Sequence, residues 1–290
     1  MTMKTRWNYL KGRCHYLNYH PVFRRSPLRI VFRLLLWRMR CLLNIPAVIS
    51  LPCWDARFFI PPWWGGEGTT MIFAARQEYE NELRHLERFV SNGNVVVDAG
   101  ASCGIYTIAA AKLVGEKGRV IAFEPGVRSA SVLIRNIELN GLNNVRLYRE
   151  ALSDRVGRAR LYHHRGPVAS SMAVGDSNKH QFDEITTTTL DSMLKQEGLD
   201  RVDFLKMDIE GAEELALRGG KTLFAKFHPV IVFEMNLLAA TRFGLDADGA
   251  WRYLQGLSYR FFILDKTGKL NPLESPPNNC QREFRNIIAM

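Results

Sequence analysis

The stretch VVVDAGASCG, Val95 to Gly104, is an apolar run that ends in a loop with two glycines. Such a run followed by a glycine loop and a helix is how a parallel strand opens a nucleotide-binding unit. The spacing here is D-x-G-x-x-x-G, not G-x-G-x-x-G. Gly100 suits a tight turn, and Gly104 suits close approach to the following helix. Asp98 stands at the mouth of the loop, where a carboxylate repels phosphate. The loop is therefore expected to face a ligand that is positive nearby.

Working outward, GIYTIAAAKLVG reads as a helix broken at Gly115, RVIAFEP as a second strand, and VRSASVLIRNIELNG as a helix closed by Asn140-Gly141. NVRLYREAL reads as a third strand, RVDFLKMDIEG as a fourth and HPVIVFEMN as a fifth. A helix is expected around Asp248 to Leu257, then strands at YRFFILD and FRNIIAM. This alternation predicts an α/β fold, a parallel doubly wound sheet covered on both faces, with an antiparallel finish. GRARLYHH and EITTTTL read as strands of an insertion at about 153–188, separated by a polar loop. The expected organisation is a basic helical extension over 1–56, a hairpin and lead-in helix over 57–93, and the main domain over 94–290. No internal repeat or low-complexity tract is evident.

S-adenosylmethionine fits the loop, because its methionine end carries an ammonium beside a sulfonium, while the helix N-terminus at Gly104 can receive its carboxylate. Glu124 lies 24 residues after Gly100, where an acid accepts both ribose hydroxyls. An NAD site uses the same acid, so Asp98 and the loop spacing make the choice. The third strand ends at Glu150-Ala151-Leu152, where an adenine edge would be read, although a surface Glu150 is nearly as good a reading. In LKMDIEGAEE, Lys206, Asp208 and Glu210 occupy alternate positions and are expected to share one face. Three ionisable groups at a covered strand end are costly unless they have partners or a task. The functional reading puts Asp208 and Glu210 at the acceptor hydroxyl, with Lys206 orienting and Glu234 facing the same cleft. The alternative is a salt-bridged strand end. His163, His164 and His228 are weaker candidates. No metal is expected, and only a convergence of Asp208, Glu210 and Glu234 would suit Mg²⁺.

The chain has 290 residues, 47% hydrophobic and 23% charged, ordinary values for a globular protein. Its net charge of +10 is uneven: the first 56 residues carry ten Lys and Arg against Asp55 alone, leaving 29 basic and 28 acidic residues beyond. Five cysteines, Cys14, Cys41, Cys53, Cys103 and Cys280, form no C-x-x-C pair, which favours a reducing, cytoplasmic location. Arg33, Arg38 and Arg40 interrupt the apolar run near the start, against a signal peptide or spanning helix. Within 24–43 a helical projection groups Arg25, Arg29, Arg33 and Arg40 within about 80°, with Arg38 opposite. That pattern suits peripheral contact with the inner membrane face; equally, the helix packs on the domain with its arginines outward. Nucleic-acid binding has little else in its favour. Pro61, Pro62, Gly65 and Gly66 are expected to form a turn displaying Trp63 and Trp64.

The set VVVDAGASCGIYT, VIAFEP, EALSD, TTTTLD, FLKMDIEGAE and PVIVFEMN resembles the FkbM family of S-adenosylmethionine-dependent methyltransferases, over about Glu78 to Asn236. The resemblance implies a seven-stranded, Rossmann-like methyltransferase sheet with an antiparallel last strand. It also implies O-methylation of a sugar, glycolipid or secondary-metabolite hydroxyl. By match of motif, Asp98, Gly100 and Gly104 take the methionine end, Glu124 the ribose, and Asp208 with Glu210 the reaction zone. Ala101, Ser102, Pro125, Glu150 and Ala151 complete the expected cofactor lining. Ser102 departs from the Asn of many members, but its hydroxyl can still donate to a carboxylate. Two rivals are a non-catalytic S-adenosylmethionine-binding module recruited through its N-terminal segment, and an NAD enzyme. The acceptor and the oligomeric state are not legible.

Overall fold

The computed structural model describes residues 23, 25–63, 67–163, 170–173, 181–277 and 285–290. Helix α1 (Pro27–Leu42) leads into a hairpin of β1 (Ala47–Leu51) and β2 (Ala56–Ile60), then α2 (Glu67–Ala75) and the short α3 (Asn81–Arg84). The main domain follows as β3 (Val95–Ala99), α4 (Ile105–Val114), β4 (Arg119–Phe123), α5 (Val127–Leu139) and β5 (Val145–Tyr148). Next come β6 (Glu150–Leu152), β7 (Gly157–His163), β8 (Ser170–Ser171), β9 (Phe182–Thr188), α6 (Leu190–Glu197) and β10 (Phe204–Met207). The chain ends with α7 (Glu213–Arg218), α8 (Lys221–Phe227), β11 (Val230–Met235), α9 (Leu237–Arg242), α10 (Gly249–Gly256), β12 (Phe261–Leu264), β13 (Leu270–Leu273) and β14 (Arg285–Ala289).

The central sheet has the order β13-β12-β14-β11-β10-β3-β4-β5. Strands β5, β4, β3, β10 and β11 are parallel, and β14 runs antiparallel between β11 and β12. This is the expected doubly wound α/β sheet with its antiparallel last strand. Among the described residues it has eight strands, not seven, because β13 folds back on β12 at the edge. The expected third strand is also divided. Its second half, β6, leaves the central sheet and pairs with β9 in a separate sheet of order β6-β9-β7-β8.

Alternation along the central strands builds two cores. Val97, Leu205, Ile231 and Phe233 point to one face, which is covered by α6, α7, α8 and α10 through residues such as Leu190, Leu217, Phe224 and Trp251. Val96, Phe204, Val232 and Ile288 point to the other, which is covered by α4, the β1–β2 hairpin and α1. Each fully buried Leu, Val or Phe here contributes about 1.5–3 kcal/mol.

The hairpin spans residue 56, and its tight connection is Pro52–Trp54 with Asp55 in the left-handed region. Trp63, expected on display, is half-buried and packs against the core; Trp64 lies outside the described residues. β2 is joined to the domain by two asparagines one helical turn apart, Asn136 on α5 and Asn140 capping its end. Asn136 Oδ1 accepts from Phe59 N–H (2.6 Å), and its Nδ2 donates to the Phe59 and Cys103 carbonyls (3.2 and 2.9 Å). Asn140 accepts from Arg57 N–H and donates to its carbonyl. The carboxamides thus satisfy an edge strand as a neighbouring strand would. The Asn136→Leu variant leaves the Phe59 amide buried without a partner. We expect it to lose about 2–3 kcal/mol in urea unfolding, with Asn140→Ala, nearer the surface, losing less than about 1 kcal/mol.

Candidate active site

Strand alternation places Asp98 of β3, Lys206 of β10, Glu234 of β11 and Asn286 of β14 on one face. All are near the carboxyl ends of the parallel strands. Register sets Lys206 beside Asp98 and Glu234 beside Asn286. Lys206 is 2% exposed, and its ammonium donates to Asn286 Oδ1 at 3.1 Å. It also lies 3.8 Å from Asp208 Oδ2 and 5.1 Å above the Tyr106 ring. Asn286 passes the contact on, donating to Glu80 Oε2 (2.8 Å) and Glu82 Oε2 (3.3 Å), while Tyr106 donates to Glu80 Oε2 (2.5 Å). Burial alone would lower the Lys206 ammonium, but Asp208, Glu80, Glu234 and Asp98 hold it above its ordinary value. Glu80, Glu82, Tyr106 and Asn286 were not expected from sequence, where each looks like one more polar residue on an unremarkable element.

Asp98 is buried and accepts from Thr107 Oγ1 at 2.5 Å. Its carboxylate therefore has internal partners, the Thr107 hydroxyl first and then the Lys206 charge, before any ligand is considered. Burial raises its carboxyl to about 6. Gly100 has φ +78°, and a Cβ there would fall on the Asp208 carbonyl, so the first loop lies directly against the turn after β10. Gly104 caps α4 with φ +95°, and a Cβ there would strike Leu133 of α5. The close approach foreseen for this glycine is thus to α5, not to the helix it begins.

Glu124, at the end of β4, accepts from Ser102 N–H (2.8 Å) and Gly126 N–H (2.7 Å), one on each oxygen. It locks the first loop to the second. Ala101 is buried, Ser102 has φ +50° and Pro125 is half-buried beside them. Glu150 is half-buried on β6, and Ala151 packs into the small core of the second sheet with Leu161 and Ile185.

The strand reading of Glu210 is corrected. β10 ends at Met207, and Glu210 sits in a turn with φ +54°, its carbonyl accepting from Ser171 Oγ. The Gly211 that follows lies tight against the Ala239 backbone, which forces this turn. Asp208 remains next to Lys206 and its side chain is 41% exposed, the open end of an otherwise covered row. Glu234 Oε2 is buried with no hydrogen-bond partner. Burial, then Asp208, Glu210 and Glu213, hold its carboxyl well above the ordinary value. Glu213 accepts from Ile209 N–H and bridges the turn. Among the described residues no group of three His, Cys, Asp or Glu could hold a metal ion, so Asp208, Glu210 and Glu234 do not converge on one. His163 meets Asp183 in the second sheet, and His228 stacks on Tyr259; His164 lies outside the described residues.

Burial raises Glu82, Glu124 and Glu213 to about 7, with Glu80 adding to the effect on Glu82. Unfolded, such groups release their protons at about pH 4–4.5. Between there and about pH 7 the folded chain holds more protons. These groups therefore stabilise most fully below that range, and their contribution falls as pH rises. We expect the thermal midpoint to drop between about pH 5.5 and about pH 8, and Glu82→Gln to flatten the slope by up to about 1.4 kcal/mol per pH unit. A midpoint that rises over this window would contradict the assignment.

The sequence profile of the Methyltransferase FkbM domain matches residues 98–261. The 2-O-methyltransferase NoeI of Sinorhizobium fredii is 29% identical over 125 residues, covering 38% of this chain and 51% of that protein. Methyltransferase sdnD of Sordaria araneosa is 27% identical over 154 residues, covering 43% and 59%. The alignments thus span a little over half the length of these curated relatives. Among solved structures, methyltransferase FkbM from Methylobacillus flagellatus KT aligns over 93% of this chain and 61% of that one, with 14% identity and a TM-score of 0.43. The profile match runs from Asp98 near the end of β3 to Phe261 at the start of β12, more than half of the chain, and the protein belongs to the FkbM methyltransferase family.

Proposed function

We propose that the protein is an S-adenosylmethionine-dependent O-methyltransferase acting on a hydroxyl of a sugar, glycolipid or secondary metabolite. The observation that carries this reading is the covered polar row at the strand ends, open to solvent at Asp208. The relative named a 2-O-methyltransferase favours oxygen as the acceptor atom.

The residues present suit the cofactor. Each Glu124 oxygen uses one lone pair on a backbone N–H and keeps another for a ribose hydroxyl. Asp98 and the N-terminal turn of α4 would serve the methionine end, with Gly100, Ala101, Ser102 and Gly104 shaping the loop. Pro125, Glu150 and Ala151 would border the adenosine. S-adenosylmethionine supplies a methyl group already activated on sulfur, so the chain must align the acceptor and ease loss of its proton. Asp208 accepts the hydrogen of the acceptor hydroxyl. Lys206 is buried and cannot reach the acceptor; it holds Asp208 from beneath. Glu234, whose carboxyl burial and the neighbouring acids hold well above its ordinary value, faces the same cleft from the neighbouring strand. Glu210 faces the same opening from its turn.

Two measurements test this. Calorimetric titration should give micromolar binding of S-adenosylmethionine and S-adenosylhomocysteine and none of NAD. In a screen of sugar and glycolipid hydroxyls with a labelled methyl donor, Asp208→Asn should keep cofactor binding and lose about 10²–10⁴-fold in transfer. Transfer at the unaltered rate would remove Asp208 from the role given to it.

A further inference from the structure

Helix α1 is held to the domain by one face. Ile30 and Trp37 are buried; the Trp37 indole donates to Thr70 Oγ1 at 3.1 Å and stacks on Phe73 at 4.8 Å, both on α2. The opposite face carries Leu28, Val31, Phe32, Leu35, Met39 and Leu42. At 3.6 residues per turn these six fall within an arc of about 100°. Leu28 is 85% exposed, Phe32 66%, Leu35 64% and Leu42 73%. A continuous outward stripe of this size on a surface helix marks an interaction site.

Charge identifies the partner. Arg33 turns inward to the Ala74 carbonyl and Arg40 to the Pro46 carbonyl, so neither covers the stripe. Arg29 and Arg38 are exposed on its two flanks, and Arg25 lies on the Arg29 side with Glu78 at 3.5 Å. The first 56 residues, these arginines included, carry a net charge of +9. An apolar strip bordered on both sides by guanidinium groups matches the layering of a bilayer surface. Acyl chains receive Leu and Phe, and headgroup phosphates receive Arg. Two copies pressed together along the same stripe would instead appose like charges. No helix among the described residues is long and apolar enough to cross a membrane.

We propose that the α1 face seats the protein on an anionic lipid surface. The consequence reaches the site, because α1 packs on α2, the element that leads directly to Glu80 and Glu82.

The test is flotation of the full chain with vesicles of phosphatidylcholine alone and of an equal mixture with phosphatidylglycerol. The chain should float with the mixed vesicles and little with the neutral ones. Phe32→Ser/Leu35→Ser should retain the far-ultraviolet spectrum and thermal midpoint and partition at least tenfold less. Arg29→Gln/Arg38→Gln should lose roughly tenfold or more on the anionic vesicles only. Absence of flotation, or equal flotation by Phe32→Ser/Leu35→Ser, would overturn the proposal. So would loss of the fold in that variant, since the face would then be covered by the chain itself. A dimer in sedimentation velocity that this variant dissolves, without vesicle binding, would reassign the face to a second copy.

Discussion

A lysine ammonium buried beneath the ends of a parallel sheet is the constraint on which this structure turns. An unpaired ammonium in such a place costs several kcal/mol, and pairing repays that only when geometry and hydrogen bonds are complete. Lys206 meets the requirement with Asp208 two residues on and with groups from distant parts of the chain, Asp98 in the adjacent strand and Glu80 through Asn286. The lead-in segment and the last strand are therefore bound to the centre of the sheet by electrostatics as well as by packing. Surplus carboxyls crowd the same space. Burial raises Glu82 to about 7 and Glu234 well above the ordinary value.

The order of elements was legible because period and punctuation agree over most of the main domain. Val95–Ala99, Arg119–Phe123 and Val230–Met235 are apolar runs ended by turn residues, and the intervening stretches repeat at the helical period. The division of the third strand was not legible, since Glu150–Leu152 is as apolar as what precedes it and only pairing with β9 draws it away. The edge strand Leu270–Leu273 contains a proline and escaped for that reason. Within the site, the meeting of Lys206 with Asp208 followed from alternation. Alternation failed at Glu210, where the crowded approach of Gly211 to Ala239 ends the strand. Glu80, Glu82 and Asn286 carry no local sign of their role, because what makes them matter is a partner more than a hundred residues away.

The N-terminal helix illustrates a different limit. A helical projection shows that arginines cluster on one side and apolar residues on others, but it does not say which side the domain takes. Packing chose Ile30 and Trp37, the wider ring finding a hydroxyl for its N–H and an aromatic neighbour in α2. Once that face was taken, Leu28, Phe32, Leu35 and Met39 were left outward, and two arginines turned to nearby carbonyls.

The Asn136 side chain bonds both the hairpin strand at Phe59 and the glycine loop after β3 at Cys103. One carboxamide is thus shared by a segment outside the recognisable family region and a loop inside it. The structural unit of this chain is accordingly larger than the stretch by which its family is recognised. A fragment beginning at residue 94 would contain the whole profile match. It would nevertheless open Asn136 to water and leave Lys206 without the two glutamates that Asn286 brings to it. Any transplant or chimera that treats the first ninety residues as a detachable appendage would break the sheet's own charge balance.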